Sequence, residues 1–248
     1  MTNIAIHGFF GRMGQAIFLE ARQMKSLSVT VGIDQEQTIS DKTVEGVQLT
    51  NTLESLRDEF DVVIDFSLPT PSIINAQKCS DSKVPLVIGT TGFTKQQHEK
   101  IRNLSKNIPI LLAPNMSLGV NVSLDALAYI AKMLPDYRVT IEETHHVNKV
   151  DSPSGTAIKI ANVICESRGI DLGDIENKDC PIEFLSHRKD TEIGTHTIYF
   201  KGQNDDIVFT HNASNRNIFA NGSLRGSRWI VKQKPGLYSF KQFMDSEV

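Results

Sequence analysis

From the N-terminus to residue 115, short apolar β-branched runs alternate with stretches of helical period. NIAIHG is followed by QAIFLEARQM, LSVTVGID by the helical SLRDEF and then DVVIDFS, with PLVIGTT and IPILLAPN continuing the series. Strands separated by helices predict βαβ units and a parallel sheet. Several of these strands run out into Gly, Thr, Pro or Asn, residues suited to turns. Around residues 117–150 the pattern changes: the helical VSLDALAYIAKML precedes a strand, YRVTIEE, and later THTIYF and DIVFTHNA read as antiparallel neighbours. This half reads as α+β. GIDLGDIENKDCPI (169–182) reads as loop, and the closing KPGLYSFKQFM is expected to pack back on the first domain.

Composition narrows the chemistry. A chain of 248 residues, 40% hydrophobic and 22% charged, can bury a sizeable core in one large domain or two modest ones. The net charge of -3 and pI near 6.2 point away from a nucleic-acid surface and toward small-molecule work. No basic leader and no apolar run near membrane-spanning length is present, so no membrane partner and a cytoplasmic location are expected. Cys79, Cys165 and Cys180 are too few and too scattered for a disulfide framework or a CxxC metal pattern, and read as reduced thiols.

HGFFGRMG follows NIAI directly and opens a helix. Gly8, Gly11 and Gly14 suit a strand-turn-helix phosphate cradle, in which missing side chains let backbone amides approach a pyrophosphate. The spacing is GxxGxxG, with Phe10 in the place of a middle glycine. Asp34 ends the second strand twenty residues after Gly14, where a carboxylate can accept from an adenosine ribose. That carboxylate repels a 2'-phosphate and Gln35 does not offset it, which favours NADH. Arg12 could reach a phosphate in either cofactor, so NADPH is the alternative. The strand ends Ser67, Gly89-Thr90-Thr91 and Ala113-Pro114-Asn115 fall on the carboxyl edge of the sheet, where open α/β folds bind ligands, although each is also an ordinary turn.

THHVNKVDSPSGTA (144–157) gathers two histidines, a lysine and a Ser-Gly-Thr helix start. On a strand continuing from 138–144, His145 and His146 point to opposite faces, which makes joint metal chelation awkward. Ser154 lacks a nucleophile elbow. What remains is recognition and protonation of an anion: Lys149 offers a positive charge, an imidazole can give a proton near neutral pH, and amides at the start of AIKIANVICESR can cradle a carboxylate. Ile160, Val163 and Ile164 recur at helical spacing, and the helix is expected to end at Gly169. A solvated lysine, a surface histidine pair and a simple Ser/Thr cap are the bland readings of the same residues taken singly.

Taken as a set, GFFGRMG, VVIDFSLP, VIGTTGF, APNMSLGVN, EETHHVNKVDSPSGTA and IFANGSLRGSRWIVKQKPGLYSF resemble the 4-hydroxy-tetrahydrodipicolinate (dihydrodipicolinate) reductases over nearly the whole chain, HHxxK with SGTA most specifically. The resemblance implies an α/β fold with a Rossmann-like dinucleotide-binding domain (1–116 and 227–248), an inserted α+β substrate and tetramerisation domain with a mixed sheet (117–226), and a homotetramer. It implies His145 and Lys149 as catalytic groups, and His146, Lys149, Gly155 and Thr156 as binders of a dicarboxylate substrate. For the cofactor it implies Gly8, Phe9, Phe10, Gly11, Arg12, Met13, Asp34, Gly89, Thr90, Thr91, Ala113, Pro114, Asn115 and Met116, with no metal. The sequence departs from the family at His7, Phe9, Phe10 and Met116. The implied reaction is hydride transfer to ring C4, loss of water and protonation at C3 by His145, with hinge closure near 116–118 and the return segment. A reductase of another dicarboxylate and a non-catalytic dinucleotide sensor are the competing readings.

Overall fold

The computed structural model describes residues 1–53, 58–147, 149–175, 177 and 179–247. The chain divides into two compact units, Met1–Leu118 with Asn217–Val248, and Gly119–Arg216.

In the first unit a seven-stranded sheet runs in the order β11-β6-β5-β4-β1-β2-β3. Its strands are β1 (Thr2–His7), β2 (Leu27–Ile33), β3 (Gln48–Thr50), β4 (Val62–Asp65), β5 (Leu86–Ile88), β6 (Pro109–Leu112) and β11 (Gly236–Tyr238). All pairs are parallel. Ile4, Ala5 and Ile6 are all fully buried, because helices cover both faces and both side-chain directions need apolar residues. On one face Ile4, Ile6 and Ile64 pack with Ile17 and Ala21 of α1 (Arg12–Ala21), Ala220 and Leu224 of α7 (Asn217–Ile230), and Phe240 and Phe243 of α8 (Phe240–Asp245). On the other, Ala5, Val31, Val63 and Ile88 pack with Ala76 and Cys79 of α3 (Pro69–Asp81) and Ile101 and Leu104 of α4 (Lys95–Leu104). The short α2 (Glu36–Ile39) follows β2. The strand order reverses at β1, between β2 and β4, so a crevice opens beyond the carboxyl ends of β1 and β4. The expected helix in SLRDEF lies partly outside the described residues.

The return to the first unit falls at Asn217 rather than 227. The whole of α7 belongs to its core, with Ala220, Leu224 and Ile230 buried there. Gly222 and Gly226 sit inside this helix because a Cβ would lie 1.8 Å from the Met116 carbonyl oxygen or 2.6 Å from Leu111.

The second unit is a mixed sheet, β10-β9-β7-β8, formed by β7 (Arg138–His145), β8 (Ile182–Arg188), β9 (Gly194–Lys201) and β10 (Asp206–Ala213). β7 is antiparallel to β9 and parallel to β8. Two helices, α5 (Leu118–Met133) and α6 (Gly155–Arg168), bring Leu127, Ala131, Ile160 and Ile164 to a core shared with Val139, Ile141, Ile198 and Phe200. Gly169 closes α6 in the left-handed region (φ 70°), which a glycine adopts without strain.

Candidate active site

The pleat explains how the second unit builds its polar cluster. Along β7 the buried face carries Val139, Ile141, Glu143 and His145 in turn; along β9 it carries Phe200, Ile198, His196 and Gly194. Val139 pairs with Phe200, Ile141 with Ile198 and Glu143 with His196, so one continuous face changes from apolar core to buried acid and imidazole. Glu143, His145 and His196 are 1%, 7% and 5% exposed.

Glu143 organises the cluster. Its Oε1 accepts from the Ser154 amide at 3.1 Å and the Ser186 hydroxyl at 3.0 Å, with Arg188 Nη1 at 3.5 Å. Its Oε2 faces His145 Nδ1 at 3.2 Å and His196 Nε2 at 3.8 Å. The His145 contact lies off the line of a full hydrogen bond, which leaves Oε2 and Nδ1 both underpartnered. Burial pushes the Glu143 carboxyl upward, but His145, Ser154 and Ser186 outweigh it and hold the pKa at about 2. Burial, reinforced by His145, lowers His196 to about 4 despite Glu143, so His196 is neutral at pH 7. The donor atoms of Glu143, His145 and His196 all lie within 4.8 Å of one another, close enough for mutual hydrogen bonding or for chelation, and the donors already crowding Glu143 favour the former.

The turn after β7 carries the remaining groups. Lys189 N–H donates to His145 O at 2.8 Å, and Arg188 donates from Nε to Lys149 O at 3.2 Å and from Nη2 to Asp151 O at 2.6 Å. His146 is half-buried, and its Nδ1 is without a partner among the described residues. Lys149 Nζ meets Asp151 Oδ1 at 2.8 Å. Burial raises the Asp151 pKa, while Lys149 and the amides of Asp151 and Gly155 lower it further, leaving the carboxyl below its ordinary range. Gly155 and Thr156 open α6; Ser154 caps it, its Oγ accepting from the Ala157 amide at 3.1 Å and meeting His196 Nε2 at 3.1 Å.

In the first unit the expected cofactor residues gather at the ends of β1, β2, β5 and β6. Gly8 has φ 76°, and a Cβ on Gly14 would lie 2.3 Å from Gly8 O and 2.5 Å from Phe9 O, so α1 can start this close to the turn only with glycine there. Among the described residues no side chain caps α1, which suits its N-terminus to an anion. Asp34 stands at the end of β2, its carboxylate accepting from Phe10 N–H and Gln35 N–H at 2.9 Å each. Arg12 and Thr91 are exposed, Met13 and Gly89 half-buried, and Lys42 Nζ lies 4.1 Å from the Phe10 ring centre. These residues fit a dinucleotide.

Four of the expected cofactor residues are buried. Phe9 is fully buried against Phe10 and Phe18, its amide donates to Ile33 O and its carbonyl accepts from Gln15, so its ring packs the turn. Ala113 and Met116 are 2% and 1% exposed because both belong to the core under α7. In the same loop Pro114 is exposed and Asn115 half-buried. Thr90 is also buried, its hydroxyl donating to Asp65 at 2.9 Å. Asp65, Glu143, Asp151, Ser186, Arg188 and His196 were not singled out from the sequence; the period of two in VTIEETH and GTHTIYF carried the signal for Glu143 and His196.

Residues 2–116 match the family signature described as dihydrodipicolinate reductase, N-terminus, and residues 119–244 match its C-terminus. The chain belongs to the dihydrodipicolinate reductase family. Among curated relatives of this family, the 4-hydroxy-tetrahydrodipicolinate reductase of Geotalea uraniireducens (strain Rf4) is 37% identical, covering 98% of this chain and 99% of that one. The enzyme of the same description from Aquifex aeolicus (strain VF5) is 38% identical over 96% and 97%. A solved structure, the dipicolinate-bound dihydrodipicolinate reductase from Paenisporosarcina sp. TG-14, is 28% identical with a TM-score of 0.81, covering 96% of this chain and 97% of that one. The family accounts for the parallel Rossmann-like sheet and the separate mixed sheet, and its members are oxidoreductases that use a pyridine nucleotide.

Proposed function

We propose that this chain reduces 4-hydroxy-tetrahydrodipicolinate to tetrahydrodipicolinate, a step of diaminopimelate and lysine biosynthesis, with NADH favoured over NADPH. The observation that carries the substrate class is the Asp151 carboxylate held by Lys149 Nζ and the Gly155 amide beside a buried imidazole. A site that already gathers a carboxylate at this place has the charge and amides to receive one from a dicarboxylate ligand. Lys149, His146, Gly155 and Thr156 hold the substrate carboxylates. A reduced nicotinamide, when bound, would supply the hydride for ring C4, water being lost from the hydroxylated ring. His145 then gives its proton to the electron-rich C3. Lys149 acts as the second catalytic group by balancing charge that builds on the ring during the transfer.

On the cofactor side, the turn of Gly8, Phe9, Phe10, Gly11, Arg12 and Met13 surrounds the pyrophosphate, Asp34 accepts from the ribose, and the segments Gly89, Thr90, Thr91 and Ala113, Pro114, Asn115, Met116 line the nicotinamide end. Asp34 supports NADH, and Lys42 beside Phe10 is the cation that would let NADPH bind. The first unit is thus the dinucleotide-binding domain and the inserted unit the substrate domain. We also place the chain in a cytoplasmic homotetramer assembled through the inserted unit, where Leu185 of β8 and Ile207 and Val208 of β10 are exposed.

Loss of NADH and NADPH absorbance with freshly prepared hydroxy-tetrahydrodipicolinate tests the reaction. Oxidation of either cofactor, faster for NADH, is expected; no oxidation of either overturns the assignment. Light scattering on the eluted protein tests the tetramer.

A further inference from the structure

We propose that Glu143 is the positioning residue for the acid His145: it holds a proton on His145 Nδ1, directs Nε2 to the substrate, and locks that imidazole to the carboxylate cradle through Ser154. The proposal rests on the functional reading above.

Three observations converge. First, the two oxygens of Glu143 have different duties. Oε1 takes the Ser154 amide, the Ser186 hydroxyl and Arg188, which fixes the carboxylate between β7, β8 and the start of α6. Oε2 is left for imidazole, and Nδ1 of His145 is the nearest one at 3.2 Å. Second, both atoms of that contact are buried and underpartnered, so a small ring rotation completes a charge-assisted hydrogen bond as His145 takes up its second proton. Third, Nε2 lies toward Gly194, where a Cβ would come within 3.0 Å of it, so glycine keeps that nitrogen approachable. His196 does not displace His145 from the carboxylate: it is farther, at 3.8 Å, and turns Nε2 to Ser154 Oγ at 3.1 Å.

The proton balance follows. The imidazolium carries hydrogen on both nitrogens. When Nε2–H passes to C3 of the ring, the neutral product is the Nδ1–H tautomer, the form whose hydrogen points at Glu143 Oε2. The carboxylate therefore stabilises acid and conjugate base in one orientation, and its Oε1 ties that orientation to the helix start that holds the substrate.

Glu143→Gln separates positioning from scaffolding. Its carbonyl still accepts from Ser154 and Ser186, while its amide presents N–H to His145 Nδ1 and imposes the opposite tautomer. Nitrogen-15 NMR of the imidazoles, without substrate, is expected to show Nδ1–H for His145 in the native protein and Nε2–H in Glu143→Gln; the same tautomer in both overturns the proposal. This readout stands even if the substrate assignment fails. With hydroxy-tetrahydrodipicolinate, kcat is expected to fall about a hundredfold at nearly unchanged KM and NADH affinity, and Glu143→Asp to restore part of it. An unchanged kcat, or a joint loss of kcat, KM, cofactor affinity and Tm, overturns it. Should Glu143→Gln not fold, Gly194→Ala decides: at least a tenfold loss of kcat in a folded protein is expected, and full activity refutes the proposed path to Nε2.

Discussion

Each unit buries a carboxylate almost completely, Asp65 at the end of β4 and Glu143 near the end of β7, and satisfies it in a different way. Asp65 accepts from the Ser67 amide at 2.9 Å, the Ser67 hydroxyl at 2.7 Å, Asn75 Nδ2 at 2.7 Å and the Thr90 hydroxyl at 2.9 Å. All are neutral donors that cannot change charge, and the nearest imidazole, His7 Nδ1, stands off at 3.9 Å with its pKa lowered by burial. Asp65 thereby ties the loops after β4 and β5 to α3 and shapes the carboxyl edge of the sheet. Glu143 meets two imidazoles and a guanidinium. Neutral partners make a buried carboxylate a fastener; titratable partners equip it to take part in proton chemistry.

That contrast can be broken at several points. The largest effect is expected for His145→Ala, which removes the proposed acid and should lower kcat by about 10²–10⁴-fold while NADH binding, followed by fluorescence, stays nearly intact. Normal turnover would place the proton elsewhere. Next, Asp65→Ala strands four donors at a buried site and should cost about 3 kcal/mol of stability in urea unfolding, with weaker NADH binding as the edge loosens. If stability is unchanged, Asp65 is no fastener.

A smaller effect separates the two carboxylates by pH. The unfolded His196 imidazole binds a proton below 6.5 and the folded one only below about 4, so the unfolded state holds more protons between these values. Stability is complete above that window and is lost as pH falls through it, by on the order of 2–3 kcal/mol. Urea titrations near neutrality and near pH ~4.5 should show this loss, and His196→Asn should flatten it relative to the native protein. An equal slope in the variant would assign the acid sensitivity to other groups. Smallest is Asp34→Asn, expected to cut the NADH-to-NADPH preference in kcat/KM roughly tenfold, about 1.4 kcal/mol. An unmoved ratio would shift cofactor choice to Lys42.

Much of this was legible in the chain. Unbroken runs such as NIAI and VVI marked the parallel sheet, and VSLDALAYIAKML, YRVTIEE, THTIYF and DIVFTHNA became α5, β7, β9 and β10. His145, Lys149 and the Ser154 helix start could be read because they are neighbours in sequence. Helix α7 was not foreseen, since Gly222 and Gly226 weaken any helical reading and are explained only by backbone and side chains far away in sequence. Strand β8 is short of apolar residues because most of its side chains face outward. The partners of Glu143, at 154, 186, 188 and 196, become neighbours only when β8 and β9 flank β7.

The way the first unit is threaded bears on how the chain is made. Synthesis delivers β1 through β6 first, yet α7 and β11, which cover α1 and pair with β6, are made only after the inserted unit. Residues 119–216 are contiguous and can close their own core on the ribosome, whereas the flank of the first unit's sheet that includes Ile17 and Leu111 stays bare until the residues from 217 onward have been made. A ribosome that stalls late therefore leaves one finished unit attached to one with an open apolar face, which is the part a chaperone would have to shield.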